Sequence, residues 1–63
     1  MRAEIRIKMD NAAFTDFGQP GVELARVLRD LATRVNYNPQ LSPGYSIPLR
    51  DINGNKVGDL VIS

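Results

Sequence analysis

Oxygen-bearing side chains recur at short intervals near the end of the chain, with a spacing that could bind calcium. Asp51, Asn53, Asn55 and Asp59 match positions 1, 3, 5 and 9 of a calcium-binding loop. Such a loop requires a glycine at position 6 and a bidentate acid at position 12, where this chain has Lys56 and Ile62. The same residue types satisfy the hydrogen bonds of a turn without a metal. We therefore predict a structural turn here and no metal site.

Catalytic chemistry has few candidate groups in this sequence. The chain contains no histidine and no cysteine, so acid–base work would fall to Asp, Glu, Lys or Tyr. Its acids are scattered or paired with arginines on faces that are predicted to be exposed. The sequence has no nucleophile elbow, phosphate-binding loop or dinucleotide fingerprint. We therefore expect a protein that is not an enzyme, with no catalytic residue, no cofactor and no small-molecule substrate.

Basic residues could form a nucleic-acid contact if they share one uncovered face of a sheet. These candidates are Arg2, Arg6, Lys8, Arg50 and Lys56. The net charge of +1 differs from the strongly basic footprint of chromatin or ribosomal proteins. The outward positions of the first strand also lack aromatic residues for base stacking. Nucleic-acid binding through the outer face of the sheet is therefore the alternative function and not the leading one.

The first of these basic residues lie on a strand predicted at residues 2–9. Apolar and charged side chains alternate along it, which is typical of a strand with one buried and one solvated face. The face expected to be buried consists of Ala3, Ile5, Ile7 and Met9. Residues 10–19 have no period, and their Phe14 and Phe17 are expected to fold back over the end of the core. An exposed recognition cluster formed by these two residues and Tyr37 is the alternative.

An amphipathic helix is predicted over residues 20–35. Its buried stripe is expected to consist of Leu24, Val27, Leu28, Leu31 and Val35. Charged residues on the far side are expected to form exposed ion pairs; they are Glu23, Arg26, Asp30 and Arg34. Pro20 suits the first helical position, and Asn36 is the predicted left-handed stop.

Residues 45–62 are predicted to form a hairpin around Asn53-Gly54. A two-residue type I′ turn would pair Ile52 with Asn55. A type I turn with a left-handed Gly54 would pair Asp51 with Asn55. This turn is preferred because the Asp51 side chain can accept hydrogen bonds from the backbone N–H groups of the residues that follow it.

One extra residue is needed in the last strand to keep Leu60 and Ile62 on the core side, and Gly58 is the predicted bulge. This places Leu60 opposite Ile47 and Ile62 opposite Tyr45. Pro48 lacks a ladder donor, so its strand is predicted to lie at a sheet edge.

The order of elements predicts an α+β fold in a single small domain, β-α-β-β, with one helix packed across one face of a three-stranded antiparallel sheet. The Pro48 argument places the third strand in the centre, which gives the strand order 1-3-2. A parallel arrangement with the second strand central would need a proline in the middle strand. No apolar run approaches the roughly 20 residues needed to span a bilayer.

Three segments resemble a group of small uncharacterised proteins from proteobacterial and phage or prophage genomes. The resemblance is carried by Ala3 to Phe14, by Glu23 to Leu28 and by Leu49 to Gly58. It implies a bacterial or phage cytoplasmic context and carries no catalytic residue. Separately, the missing catalytic chemistry, the small size and the exposed sheet edge lead us to expect an interaction module that binds a protein partner or a second copy of itself, with no membrane partner.

Overall fold

The computed structural model describes residues 1–16 and 18–63. Its elements follow the order β1 (Ala3–Ile7), α1 (Ala12–Thr15), α2 (Pro20–Tyr37), β2 (Ser46–Arg50) and β3 (Lys56–Ile62). The three strands form one antiparallel sheet in the order β1-β3-β2. The predicted fold class and strand order are therefore confirmed, with a short additional helix between β1 and the main helix.

The core lies between α2, α1 and the β2–β3 half of the sheet. Its buried apolar residues are Phe14, Val27, Leu31, Ile47, Leu49, Val57, Leu60 and Ile62. Phe14 covers the end of this core from α1, as predicted for the aperiodic segment. Phe17, which shared that prediction, lies outside the described residues.

The hairpin adopts the preferred register. The Gly54 N–H donates to the Asp51 carbonyl at 3.0 Å, and the Asp51 N–H donates to the Asn55 carbonyl at 2.9 Å. Gly54 has a φ of +85°, the left-handed conformation that this turn requires. The type I′ alternative, which needs a left-handed Asn53, is therefore wrong.

β3 contains the predicted bulge, but one residue earlier than predicted. Leu49 pairs with Gly58 and Arg50 pairs with Lys56, so Val57 is the extra residue. Gly58, the predicted bulge residue, is instead the Cα partner of Leu49. Beyond the bulge, Leu60 pairs with Ile47 as predicted. A Cβ at Gly58 would overlap the Arg6 carbonyl, so this residue also lets β1 approach β3 closely.

The main helix is longer than predicted at its C-terminal end. It begins at Pro20, as the sequence indicated, but continues to Tyr37 and is capped at Asn38. Asn36 is therefore helical, and its prediction as a left-handed stop was wrong. Tyr37 is 87% exposed in the last turn of the helix, whereas Phe14 is buried, so these two residues do not form the alternative exposed cluster.

Candidate functional site

The strand β1 lies at an open edge of the sheet, and most of its surface is exposed. Its neighbour β3 covers one edge only, because the sheet ends at β1. Ala3 and Ile5 were predicted to be buried, but both are exposed and Ile5 retains 46% of its accessible surface. Only Ile7 and Met9 from the predicted face pack against the core. An apolar strand face therefore remains open to solvent.

The lateral position of α2 explains why β1 is uncovered. The Arg26 guanidinium donates to the Arg50 carbonyl at 3.0 Å, which places that flank of the helix over β2. Leu28 is two residues further on and lies roughly 200° around the helix, on the flank towards β1. Leu28 was predicted to be core, but it is 39% exposed.

Hydrogen bonds to β3 define which backbone groups of β1 face the open edge. Arg2 exchanges two hydrogen bonds with Ser63, and the Lys8 N–H donates to the Val57 carbonyl. In an antiparallel ladder these directions alternate along the strand, so Arg2, Glu4, Arg6 and Lys8 face β3. The N–H and carbonyl groups of Ala3, Ile5 and Ile7 consequently point out from the edge.

The outer face of the sheet carries charges of both signs. On β1, Arg6 forms an ion pair with Glu4 at 3.2 Å. Arg6 is also the Cα partner of Asp59 in β3. Val61 is the Cα partner of Glu4 and is partly exposed. This face therefore has a mixed surface of charged and apolar groups.

The five candidate nucleic-acid contacts do not form one patch. Arg50 is the Cα partner of Lys56, and Lys8 lies beside Lys56 and Val57 along a shallow cleft, so three basic residues gather at the hairpin end. Arg2 lies at the other end of β1, about 20 Å from Lys8 along the strand. Lys8 also lies 4.0 Å from Asp10, and Arg50 donates to the Gly54 carbonyl.

Glu23 is buried, which corrects the prediction that the charged side of the helix forms only exposed ion pairs. It is only 7% exposed, and its carboxylate accepts from Arg26 Nε at 2.7 Å and from the Ile52 N–H at 2.8 Å. The Arg26 hydrogen bond lowers the pKa of Glu23, burial opposes this, and the Ile52 hydrogen bond lowers it further. Glu23 thus ties α2 to the hairpin turn.

A signal for this burial was present in the sequence. Glu23, Val27 and Leu31 recur at intervals of four residues, which places all three on one stripe of the helix. Asp30 and Arg34, the other predicted pair, do lie at an ion-pair distance of 3.2 Å, although Arg34 Nε is not aligned for a hydrogen bond.

The Asp51 carboxylate, the first position of the calcium-like spacing, is buried and hydrogen-bonded to its own turn. It accepts from the backbone N–H groups of Asn53 and Asn55, both at 2.9 Å, and from the side-chain amides of Asn55 and Asn11. Burial alone would raise the pKa of Asp51, but these hydrogen bonds outweigh it and lower the pKa. Asp59 lies instead in β3, opposite Pro48. Across residues 1–16 and 18–63, no cluster of three or more acids suited to a metal ion occurs.

One further cleft, of about 260 Å³, lies beside the Glu23–Arg26 pair. It is bordered by Ala13 and by the exposed apolar side chains of Val22 and Ile52. Because the Glu23 carboxylate already accepts from Arg26 and Ile52, the cleft presents mainly apolar surface and no unpaired carboxylate.

Comparisons with known proteins found no matching family model, no matching curated protein and no matching solved structure. Within the part of the chain that the structure describes, no helix is long and apolar enough to cross a membrane.

Proposed function

We propose that this chain is a small non-enzymatic interaction module that binds another polypeptide through the open edge of β1. The observation that carries the proposal is the combination of edge position and exposure in one strand. Ala3, Ile5 and Ile7 direct backbone donors and acceptors outward, and the Ile5 side chain stands exposed beside them. A strand from another chain can use both features, since backbone hydrogen bonds provide affinity and side-chain contacts provide specificity.

The opposite edge of the sheet supports this choice by contrast. Pro48 removes a backbone donor from β2, and α2 lies against that strand. These are two of the devices with which proteins block unwanted strand pairing. The β1 edge has neither a proline nor an inward-pointing charge between Ala3 and Ile7. It is therefore the edge that remains available for pairing.

Site-specific photo-crosslinking tests this proposal in bacterial cells that express the chain. A benzophenone side chain replaces Ile5 on the edge, and in a matched control it replaces Arg29, which is exposed on the outer side of α2. We expect polypeptide adducts at position 5 that exceed those at position 29, because only the first probe lies in the proposed interface. Equal labelling from the two positions would overturn the proposal, whatever polypeptides were captured.

The second candidate function is nucleic-acid binding at the hairpin end of the outer face. It is favoured by the grouping of Lys8, Arg50 and Lys56. Fluorescence anisotropy with a labelled single strand at low salt tests it, because phosphate contacts are strongest there. Binding that is lost in Lys8→Glu and Lys56→Glu would support this candidate, and no binding to the wild-type chain would remove it.

The bacterial or phage cytoplasmic setting is part of the same proposal and rests on the sequence resemblance. Cells of that kind are accordingly the host for the crosslinking experiment.

A further inference from the structure

The amino-acid sequence of β1 is self-complementary when the strand is paired with a reversed copy of itself. The strand reads Ala-Glu-Ile-Arg-Ile from residue 3 to residue 7. Antiparallel pairing centred on Ile5 places Ile5 opposite its own copy, and it places Glu4 opposite Arg6 of the second chain. Opposite charges that face each other directly across two strands stabilise the pair.

The backbone geometry fits the same centre. Ala3, Ile5 and Ile7 direct their N–H and carbonyl groups to the open edge. This follows from the hydrogen bonds of Arg2 with Ser63 and of Lys8 with Val57, because the direction alternates along a strand. With Ile5 at the dyad, each of these three residues meets another edge-facing residue of the second chain. Every exposed donor and acceptor of the strand is then paired, and the sheet continues across the dyad.

The two neighbouring symmetric registers place like charges opposite each other and pair fewer residues of β1 with one another. Shifting the centre towards the N-terminus places Glu4 opposite Glu4, and shifting it towards the C-terminus places Arg6 opposite Arg6. Like charges directly opposite each other destabilise a strand pair. Either shift also extends the pairing beyond β1, which ends at Ala3 and Ile7. The centred register does bring Arg2 near Lys8 of the second chain, but Asp10 lies 4.0 Å from Lys8 and offsets part of that repulsion.

The shape of the isolated chain also favours a missing partner. Its radius of gyration is 12.2 Å, whereas a compact chain of this length has about 11 Å. Its accessible surface is 4506 Å², compared with roughly 4,000 Å² for a monomer of this mass. Ile5 and Leu28 are among the large apolar side chains that the isolated chain leaves exposed, at 46% and 39%.

From these observations we infer that β1 pairs antiparallel with β1 of a second copy of this chain, in a register centred on Ile5. The inference rests on the proposed function, because it names the partner of the same edge. The product is a symmetric dimer in which the two sheets join and both helices lie on one face. Its outer face carries two reciprocal Glu4–Arg6 pairs.

A charge exchange tests the partner and the register together. Glu4→Arg places two arginines opposite each other at both symmetric positions, and Arg6→Glu does the same with glutamates. We expect each variant alone to dissociate about tenfold more readily than wild type. An equimolar mixture of the two restores complementary pairs, so it should form mixed dimers of near wild-type affinity. The double variant Glu4→Arg/Arg6→Glu should dimerise with itself. Sedimentation equilibrium measures the affinities, and native mass spectrometry with one isotope-labelled chain measures the mixing.

Engineered cysteines give an independent check of the register, because the chain contains no cysteine of its own. Ile5→Cys should form a disulfide-linked dimer, since directly opposed residues in a hydrogen-bonded pair have Cα atoms about 5.5 Å apart. Ala3→Cys is the matched control. Ala3→Cys alone should form no disulfide-linked dimer when oxidised, whereas a mixture with Ile7→Cys should form one, because residue 3 lies opposite residue 7.

The possible outcomes distinguish failure of the dimer from failure of the proposed interaction edge. A wild-type chain that remains monomeric at several hundred micromolar overturns the dimer, while position-5 crosslinks to other polypeptides would still support an interaction edge. A dimer that ignores the charge exchange and links Ala3→Cys to itself overturns this register.

Discussion

The Glu23 carboxylate accepts a hydrogen bond from the backbone N–H of Ile52 at 2.8 Å, across 29 residues of sequence. This contact joins the first turn of α2 to the turn of the β2–β3 hairpin. Arg26 holds the same carboxylate and also reaches the Arg50 carbonyl. The position of the helix over β2, and therefore the exposure of β1, depends on this group of contacts.

Replacing Glu23 by alanine should destabilise the fold by about 1–3 kcal/mol, because the Ile52 N–H loses its partner in a buried setting. Asp30→Ala is the matched control on the same helix, since it removes the exposed ion pair with Arg34 and should cost at most about 1 kcal/mol. Urea denaturation followed by circular dichroism measures both. Equal losses of stability would show that the Glu23 contact does not anchor the helix.

Acid should destabilise the protein through Glu23 and Asp51. Both carboxyls have a lowered pKa in the folded state, so the unfolded chain binds protons more readily. Their contribution to the free energy of unfolding is complete above the unfolded-state pKa of about 4. It is lost as the pH falls through the lower folded-state pKa values. Urea midpoints between pH 2 and pH 7 measure this loss.

The control for the pH profile combines Glu23→Gln with Asp51→Asn, which should flatten the acid limb. Val27→Ala removes buried apolar volume instead, so it should lower the whole curve without changing its shape. An acid limb of unchanged slope in the double variant would assign the effect to other carboxyls.

Two glycine substitutions should have opposite effects on stability. At Gly58 an added Cβ would overlap the Arg6 carbonyl, so Gly58→Ala should separate β1 from β3 and destabilise the protein by more than 1 kcal/mol. At Gly21, in the first turn of α2, an added Cβ has no neighbour within 4 Å among the described atoms. Gly21→Ala should therefore stabilise by roughly 0.5 kcal/mol. Amide exchange at Glu4 and Arg6 reports the state of β1, and protection that survives Gly58→Ala would contradict the close approach.

Calcium should leave the hairpin turn unchanged. The Asp51 carboxylate already accepts hydrogen bonds from Asn11, Asn53 and Asn55. A cation would have to displace these donors and would lie beside Lys56. A calcium titration followed by amide chemical shifts should show no movement at these residues, with magnesium as the ionic-strength control. Saturable shifts confined to the turn would establish a metal site there.

Local chemistry explains why much of the fold could be predicted. Gly54 is the residue that tolerates a left-handed turn, so the hairpin register follows from residues next to it in the chain. Pro48 cannot donate to a central ladder, and this property led to the correct strand order. The bulge near Gly58 followed from the alternation of apolar side chains in β3. Each inference used a constraint that acts within a few residues.

The candidate site could be predicted less completely, because burial depends on distant parts of the chain. Arg6 was placed correctly on β1, whereas Lys8 lies just beyond the end of that strand. Their ion pairs, with Glu4 and Asp10 respectively, were not predicted. Ile5 was assigned to the core from alternation alone. Alternation identifies the face of a strand, but it does not show whether another element covers that face.

The sequence by itself determined the order of the three strands and the main helix, the hairpin register and the central position of β3, but not the short helix α1. Only the tertiary structure decided which members of the amphipathic pattern are buried. The period of a helix defines its apolar stripe, while the position of that helix across the sheet depends on contacts between remote residues. The contacts of Glu23 and Arg26 with the hairpin hold α2 over β2, which buries a carboxylate that the pattern placed outside. For the same reason Ile5 and Leu28 remain exposed on the β1 side, where we propose that a second chain binds.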